Sequence, residues 1–171
     1  MLIQPLTRAH DRSGFDCGNE SLNRYLRELA RQDAGRDLGI TFVAVGGPGE
    51  TRILGYYMLT MSKVNPLGVP DKSLPPARDV PVALLGRLAV DRGSQGQGVG
   101  ERLLFDGLFR IQQIASQMGS FAVVVDALDQ AAARFYAKYG FKPLNDDPLH
   151  LYLSMKEARK MGLRPHGIEG S

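Results

Sequence analysis

The chain has 171 residues and a mass of 18.7 kDa, a length that fits one domain burying roughly two-thirds of its unfolded surface. Hydrophobic residues make 43% of it and charged residues 23%, which excludes wholesale disorder, collagen and coiled coil; the longest apolar runs, Phe121 to Val125 and Pro81 to Leu85, fall far short of the roughly 20 residues of a membrane span. The net charge is only +3, but 15 of the 21 basic residues are arginine, the better side chain for bidentate phosphate contacts, so a polyanionic partner is allowed without being required.

In chain order, Met1 to Pro5 reads as a short edge strand that Pro5 ends. Asn19 is a good N-cap, and Leu22, Tyr25, Leu26, Leu29 and Ala30 repeat at helical spacing, predicting an amphipathic helix from Glu20 to about Ala34. Thr41 to Val45 and Ile53 to Ser62 are β-rich and separated by a Gly-Pro turn, which predicts a hairpin. Lys63 to Asp79, with Pro66, Pro70, Pro75 and Pro76, reads as a long loop of the kind that often carries function. Val82 to Asp91 is a buried strand from which Arg87 points out, Val99 to Met118 a helix closed by Gly119, and Phe121 to Asp126 a second buried strand. Asp129 to Tyr139 follows as a short helix capped by Gly140; Phe141 to Pro143 and His150 to Met155 are final strands. Strand, Gly-rich turn, helix, strand is a right-handed βαβ crossover. The fold class is therefore α/β, a mixed α+β sheet with helices on both faces, organised as a single domain over residues 1–156 and a basic tail over 157–171.

Cys17 is the only cysteine and His10, His150 and His166 are scattered, so neither a disulfide nor a multi-ligand metal site is expected. The N-terminal residues carry no leader pattern, and the expected location is the cytoplasm.

The chemistry concentrates at Gln95-Gly96-Gln97-Gly98-Val99-Gly100, between a buried strand and a helix, where backbone N–H groups and the helix N-terminus can hold a phosphate. No Gly-Lys-Ser/Thr follows, which excludes a Walker loop, and the spacing is not that of a dinucleotide fingerprint. This turn resembles the pyrophosphate loop of the GNAT acetyltransferase superfamily, in which Gln or Arg, two residues, Gly, one residue, then Gly or Ala are matched by Gln95, Gly98 and Gly100. The segment from Ala133 to Phe141, with Tyr136-x-x-x-Gly140-Phe141, is similar to the superfamily's late helix. Phe15-Asp16-Cys17-Gly18, Gly55-Tyr56-Tyr57, Leu85 to Asp91 and Val125-Asp126-Ala127-Leu128 extend the resemblance to the GNAT toxins of bacterial toxin-antitoxin pairs.

That resemblance implies a GNAT fold with one splayed parallel strand pair in a mostly antiparallel sheet, acetyl-CoA as cosubstrate, and an acetyl acceptor on the α-amine of aminoacyl-tRNA. It also implies a small DNA-binding antitoxin of the ribbon-helix-helix type and a homodimer, with no metal and no membrane. Leu88, Ala89 and Val90 would meet the pantetheine arm, and Gln95, Gly96, Gln97, Gly98, Val99, Gly100 and Glu101 the pyrophosphate. Tyr136 is the candidate acid for the departing thiolate, with Tyr139 as its rival. A base is not evident, though the fold could bring Glu20 or Asp126 near; an α-amine, with a reference pKa of about 7.7, asks less of one than a lysine does. Arg87 and the helix arginines Arg24, Arg27 and Arg31 are candidate tRNA contacts, yet Glu20 and Glu28 lie on the same side, and a solvated face with ion pairs is an equal reading. Lys156, Arg159, Lys160 and Arg164 could touch an acceptor stem or an antitoxin, or simply solubilise the tail. An ordinary GNAT enzyme acting on a small amine, peptide N-terminus or protein lysine is the alternative, and a non-catalytic CoA-binding subunit the third reading.

Overall fold

The structure is a computed structural model that describes residues 1–165 and the backbone of 167–168; His166 lies outside the described residues. Seven strands form one sheet in the order β1-β2-β3-β4-β5-β7-β6: β1 (Leu2–Pro5), β2 (Ile40–Val45), β3 (Gly55–Val64), β4 (Val80–Val90), β5 (Ala122–Asp126), β6 (Lys142–Pro143) and β7 (His150–Ser154). All neighbours are antiparallel except β4 and β5, the pair joined by the crossover through α3 (Val99–Ala115).

The first helix starts where the sequence places it, with the Asn19 side chain accepting from the Leu22 amide at 3.0 Å, but it is not one regular helix. α1 (Glu20–Arg24) and α2 (Ala30–Gly35) are joined by a π turn over Tyr25–Leu29, in which the Ala30 amide reaches back five residues to the Tyr25 carbonyl. The extra residue shifts the phase of the apolar stripe. Tyr25, Leu26 and Ala30 are buried, and Leu29, expected on the same face, is 39% exposed.

α1 and α2 pack on one face of the sheet against Val43, Val45, Tyr56, Met58 and Ala89. α3 packs on the other through Leu103, Leu104, Leu108 and Ile111, the face that the periodicity predicts. It sits close because residue 107 is glycine: a Cβ there would come within 2.6 Å of Leu85 Cδ1. The helix ends at Ala115, four residues before Gly119, and Ile114 is 48% exposed. Inside this layer the Tyr57 hydroxyl donates to the Asp106 carboxylate, which also accepts from Arg110 Nε at 2.9 Å; burial first, and then the Asp106 charge, push the Tyr57 phenol far above its ordinary pKa. Paired in this way, a buried carboxylate is tolerated in the core.

Beyond β5, the Asp129 side chain caps α4 (Gln130–Lys138) by accepting from the Ala132 amide at 2.8 Å. The sequence reading misses α5 (Met155–Arg159), which follows β7 directly and is capped by the Ser154 hydroxyl. α5 crosses the position where a free tail was expected to begin; Ala158 and Leu163 are buried, so the segment through 165 packs on α3 rather than trailing from it. Among the described residues no helix is long and apolar enough to cross a membrane.

Candidate functional site

β4 and β5 are paired only over Val82↔Ala122, Ala83↔Val123 and Leu84↔Val124. β4 then runs on to Val90 held by β3 alone, so its other backbone edge is open from Leu85 onward. The divergence has a local cause. Between two β3–β4 rungs, β3 advances two residues, Tyr56 to Met58, while β4 retreats three, Ala89 to Gly86. The surplus residue on β4 is a bulge, which bends a strand and increases its twist. At the bulge Arg87 has φ of +59°, a left-handed conformation that costs a non-glycine residue roughly 1–2 kcal/mol. Its exposed side chain lies over the Tyr25 ring at 4.1 Å, and the Tyr25 hydroxyl in turn donates to Asp33 at 2.8 Å. Cation and ring together hold the strained residue in place.

The gap is a cavity of about 270 Å³ lined by Leu22, Met58, Gly86, Arg87, Asp126 and Tyr136 among others. Tyr136, 6% exposed, projects from α4 between Phe135 and Phe141, and its hydroxyl makes no hydrogen bond to any described residue. Burial, and then the charge of Asp126, push its pKa well above the usual phenol value, so it carries its proton at any working pH. Tyr139 sits elsewhere. Its ring packs on Phe105 and Phe135, its hydroxyl lies against the Glu101 carboxylate, and burial with that hydrogen bond pushes it up to about 12; it does not line the gap.

The glycine turn lies at the far end of β4. Gly96 and Gly98 have φ of +74° and +79°, and a Cβ at either would meet nothing within 4 Å. Their requirement is therefore conformational, and the space beside them is open. Gly98 is the N-cap of α3 and supplies no side-chain cap, which leaves the first amides of a 17-residue helix without a protein acceptor from that residue and favours an anion there. Gly100 differs, because a Cβ there would make ordinary contacts with Val90, Phe135 and Leu88 at 3.6 Å or more; alanine would fit. Gln95 does not face this space with its amide end. Its Nε2 donates to the carbonyls of Val90 at 3.1 Å and Cys17 at 3.3 Å, fastening the turn to β4 and to the N-terminal segment. Gln97 Nε2 donates to the Gly93 carbonyl at 3.3 Å, and Asp91 steadies the same corner by accepting from the Asp16 and Gly93 amides. The turn is held by its glutamines and Asp91, and the backbone of Gly96 to Gly100 is what it presents. These residues fit a pyrophosphate, and the open edge at Leu88 to Val90 fits an amide-bearing arm running from the turn into the gap.

Other sequence candidates separate. Arg24 Nε pairs with Glu28 at 2.8 Å and Arg27 Nη2 with Glu20 at 2.5 Å, so these two arginines answer neighbouring acids; Arg31 is half-buried. Glu20 is not at the gap, whereas Asp126 is. Burial raises the pKa of the Cys17 thiol, which donates to the Asn19 carbonyl at 3.5 Å. The residue sequence reasoning missed is His150: its Nε2 lies 3.5 Å from Asp126 Oδ1 and its Nδ1 3.1 Å from Asp146 Oδ2. The β5–β7 rung Asp126↔His150 brings them together, and only strand pairing could have revealed it. Among the described residues no group of three or more potential ligands could hold a metal.

A profile of the acetyltransferase (GNAT) domain family matches residues 37–143. The chain is 38% identical over 157 residues to the tRNA-acetylating toxin of Mycobacterium tuberculosis (strain ATCC 25618 / H37Rv), an overlap of 91% of this chain and 93% of that one. It is similar to the solved structure of AtaT complexed with acetyl-methionyl-tRNAfMet, with a TM-score of 0.86 and 30% identity over 93% of this chain and 97% of that one. It is also similar to a mutant AtaT toxin bound to the C-terminus of the antitoxin AtaR and acetyl-CoA, with a TM-score of 0.81 and 28% identity over 95% and 98% of the two chains.

Proposed function

Because the chain belongs to the GNAT acetyltransferase family, we propose that it moves acetyl from acetyl-CoA to the α-amino group of aminoacyl-tRNA and so blocks translation. The observation that carries the chemistry is that Tyr136, a buried residue whose hydroxyl has no hydrogen-bond partner among the described residues, lines the gap where β4 and β5 part. The choice of acceptor is supported by the 38% identity to a tRNA-acetylating toxin over nine-tenths of both chains.

Acetyl-CoA supplies an acyl group activated as a thioester. The amides of Gly96 to Gly100 and the dipole of α3 hold its pyrophosphate without a cation. The edge of β4 turned away from β3 at Leu88, Ala89 and Val90 holds the pantetheine arm through the backbone groups that β3 and the Gln95 amide leave open, which directs the thioester into the gap. Tyr136 donates its proton to the thiolate sulfur as the amine displaces it; a phenol whose pKa is raised by burial stays protonated until that moment. Met58 and Leu22 keep bulk water from the acyl carbon.

Arg87, exposed at the rim of the gap, meets the phosphates of the acceptor end. Arg24 and Arg27 first have to exchange their carboxylate partners for phosphate; Lys156, Arg159 and Lys160 sit on and after α5, which follows Ser154 at the Ala122 end of β5, away from the gap, and Lys160 is paired with Glu157. The protein works in the cytoplasm as a homodimer, with the catalytic unit running past residue 156 through the packed segment of α5 and the basic residues of that segment contacting a ribbon-helix-helix antitoxin. Support for the antitoxin is the likeness to a toxin solved with the C-terminus of AtaR.

Expression of the wild-type chain in growing cells without its antitoxin should arrest translation, and Tyr136→Phe should not. Equal arrest by both would contradict the assignment of Tyr136, and no arrest by either would move the enzyme to a small-amine, peptide or lysine acceptor.

A further inference from the structure

A second cavity, of about 360 Å³, adjoins the gap and shares two of its lining residues, Leu84 and Asp126. Its walls come from three distant segments: the end of β3 with the start of the long loop, β4 and β5 where they part, and the β6–β7 connection. The loop is fixed over it by Asn145, whose amide donates to the Gly68 carbonyl at 2.8 Å and whose Nδ2 donates to the Leu67 carbonyl at 3.2 Å. The loop from Lys63 to Asp79 thus builds a wall.

Asp126 stands between the two cavities. On one side its charge is felt by the hydroxyl of Tyr136, a residue 6% exposed whose hydroxyl makes no hydrogen bond to any described residue. On the other it faces His150, whose second ring nitrogen is taken by Asp146. The surrounding charges leave an excess of acid. His150 answers one carboxylate, and Lys63 on the β3 wall is already paired with Asp79 at 3.1 Å; the remaining negative charge suits a group with N–H donors.

We propose that this second cavity receives the acceptor's amino acid, and that Asp126, held at the boundary by His150, accepts a hydrogen bond from the amine and aims its lone pair at the acyl carbon. This deepens, and rests on, the acetyl-transfer reading above. As the nitrogen–carbon bond forms and the carbon–sulfur bond breaks, the sulfur takes the Tyr136 proton. The proton shed by nitrogen goes to Asp126 and from there to water, from which Tyr136 is reprotonated. His150 is a positioning residue. With a carboxylate facing each ring nitrogen it holds its second proton more firmly than a free imidazole, first through the hydrogen bond to Asp146 and further through the charges of Asp126, Asp146 and Asp147, with burial opposing. The clamp is complete at low pH and is lost as pH rises through this raised value. The same geometry disfavours acceptors with an acidic side chain, which would meet Asp146.

The test compares wild type, Asp126→Asn, Asp146→Asn and His150→Gln with charged tRNA as acceptor, at saturating acetyl-CoA, between about pH 6 and pH 9. All three positions are well exposed, so folding is checked by the thermal midpoint and by acetyl-CoA affinity, both of which should match wild type. The expected result is a drop of about tenfold or more in kcat/KM for the acceptor in Asp126→Asn. His150→Gln should lose the falling alkaline limb of the wild-type profile, and charged tRNAs bearing Asp or Glu should improve as acceptors in Asp146→Asn. An unchanged kcat/KM for the acceptor in Asp126→Asn together with a His150→Gln profile that superimposes on wild type overturns the proposal. If the wild type labels a small amine in place of charged tRNA, the same variants are read on that amine, so the acceptor assignment and the role of Asp126 fail separately.

Discussion

The two ends of the β4–β5 pair are built from the same kinds of residue and do opposite jobs. At the Val82 to Leu84 end, three parallel rungs and two layers of side chains close the sheet. At the Leu85 to Val90 end, β4 keeps a single neighbour and carries a bulge at a left-handed arginine. The closed end satisfies its backbone internally; the open end leaves its backbone for a ligand. A sheet can therefore place a binding edge in its centre, provided that one inserted residue turns the strand away before the next rung forms.

Substitutions at the two ends should separate cleanly. The largest effect is expected at the open end. Tyr136→Phe should lower the rate of acetyl transfer by about 10²-fold or more while acetyl-CoA affinity, measured by calorimetry, stays within about twofold. Next comes the glycine turn. Gly98→Ala, forced into φ of +79°, should cost roughly 1–2 kcal/mol of strain and weaken acetyl-CoA binding in a titration, whereas Gly100→Ala, whose Cβ has room, should bind as wild type does.

At the closed end, Val123→Ala removes a fully buried side chain and should lower stability by about 1–3 kcal/mol, seen as a falling thermal midpoint with kcat unchanged. The smallest stability effect is expected at the bulge itself. Arg87→Gly relieves a positive φ but gives up the contact with Tyr25, two terms of about 1 kcal/mol and opposite sign; the midpoint should barely move, and the change should instead appear as a raised KM for tRNA.

The two ends also differed in how far the sequence disclosed them. The turn from Gln95 to Gly100 is local: its glycines, the strand before it and the helix after it are contiguous, so pattern alone marks it as a candidate anion-binding turn, while Tyr136 is singled out by the resemblance of Ala133 to Phe141 to the superfamily's late helix. The sheet, its parallel pair and the main helices were legible for the same reason. What was not legible depends on tertiary partners. The π turn that exposes Leu29 has no composition signal. The bulge falls on an arginine, a residue that gives no hint of positive φ, and is stabilised by a ring 62 residues earlier in the chain, Tyr25. His150 looked isolated because its two carboxylate partners come from β5 and from the β6–β7 connection. α5 is short enough that its apolar residues, Met155 and Ala158, read as the end of a strand and part of a tail.

The most direct test of the account is transfer of labelled acetyl from acetyl-CoA to purified aminoacylated total tRNA, with uncharged tRNA and a protein mixture as parallel acceptors. The account predicts label on charged tRNA alone, released with the amino acid when the ester is hydrolysed. Label on protein or free amines with none on charged tRNA would contradict it.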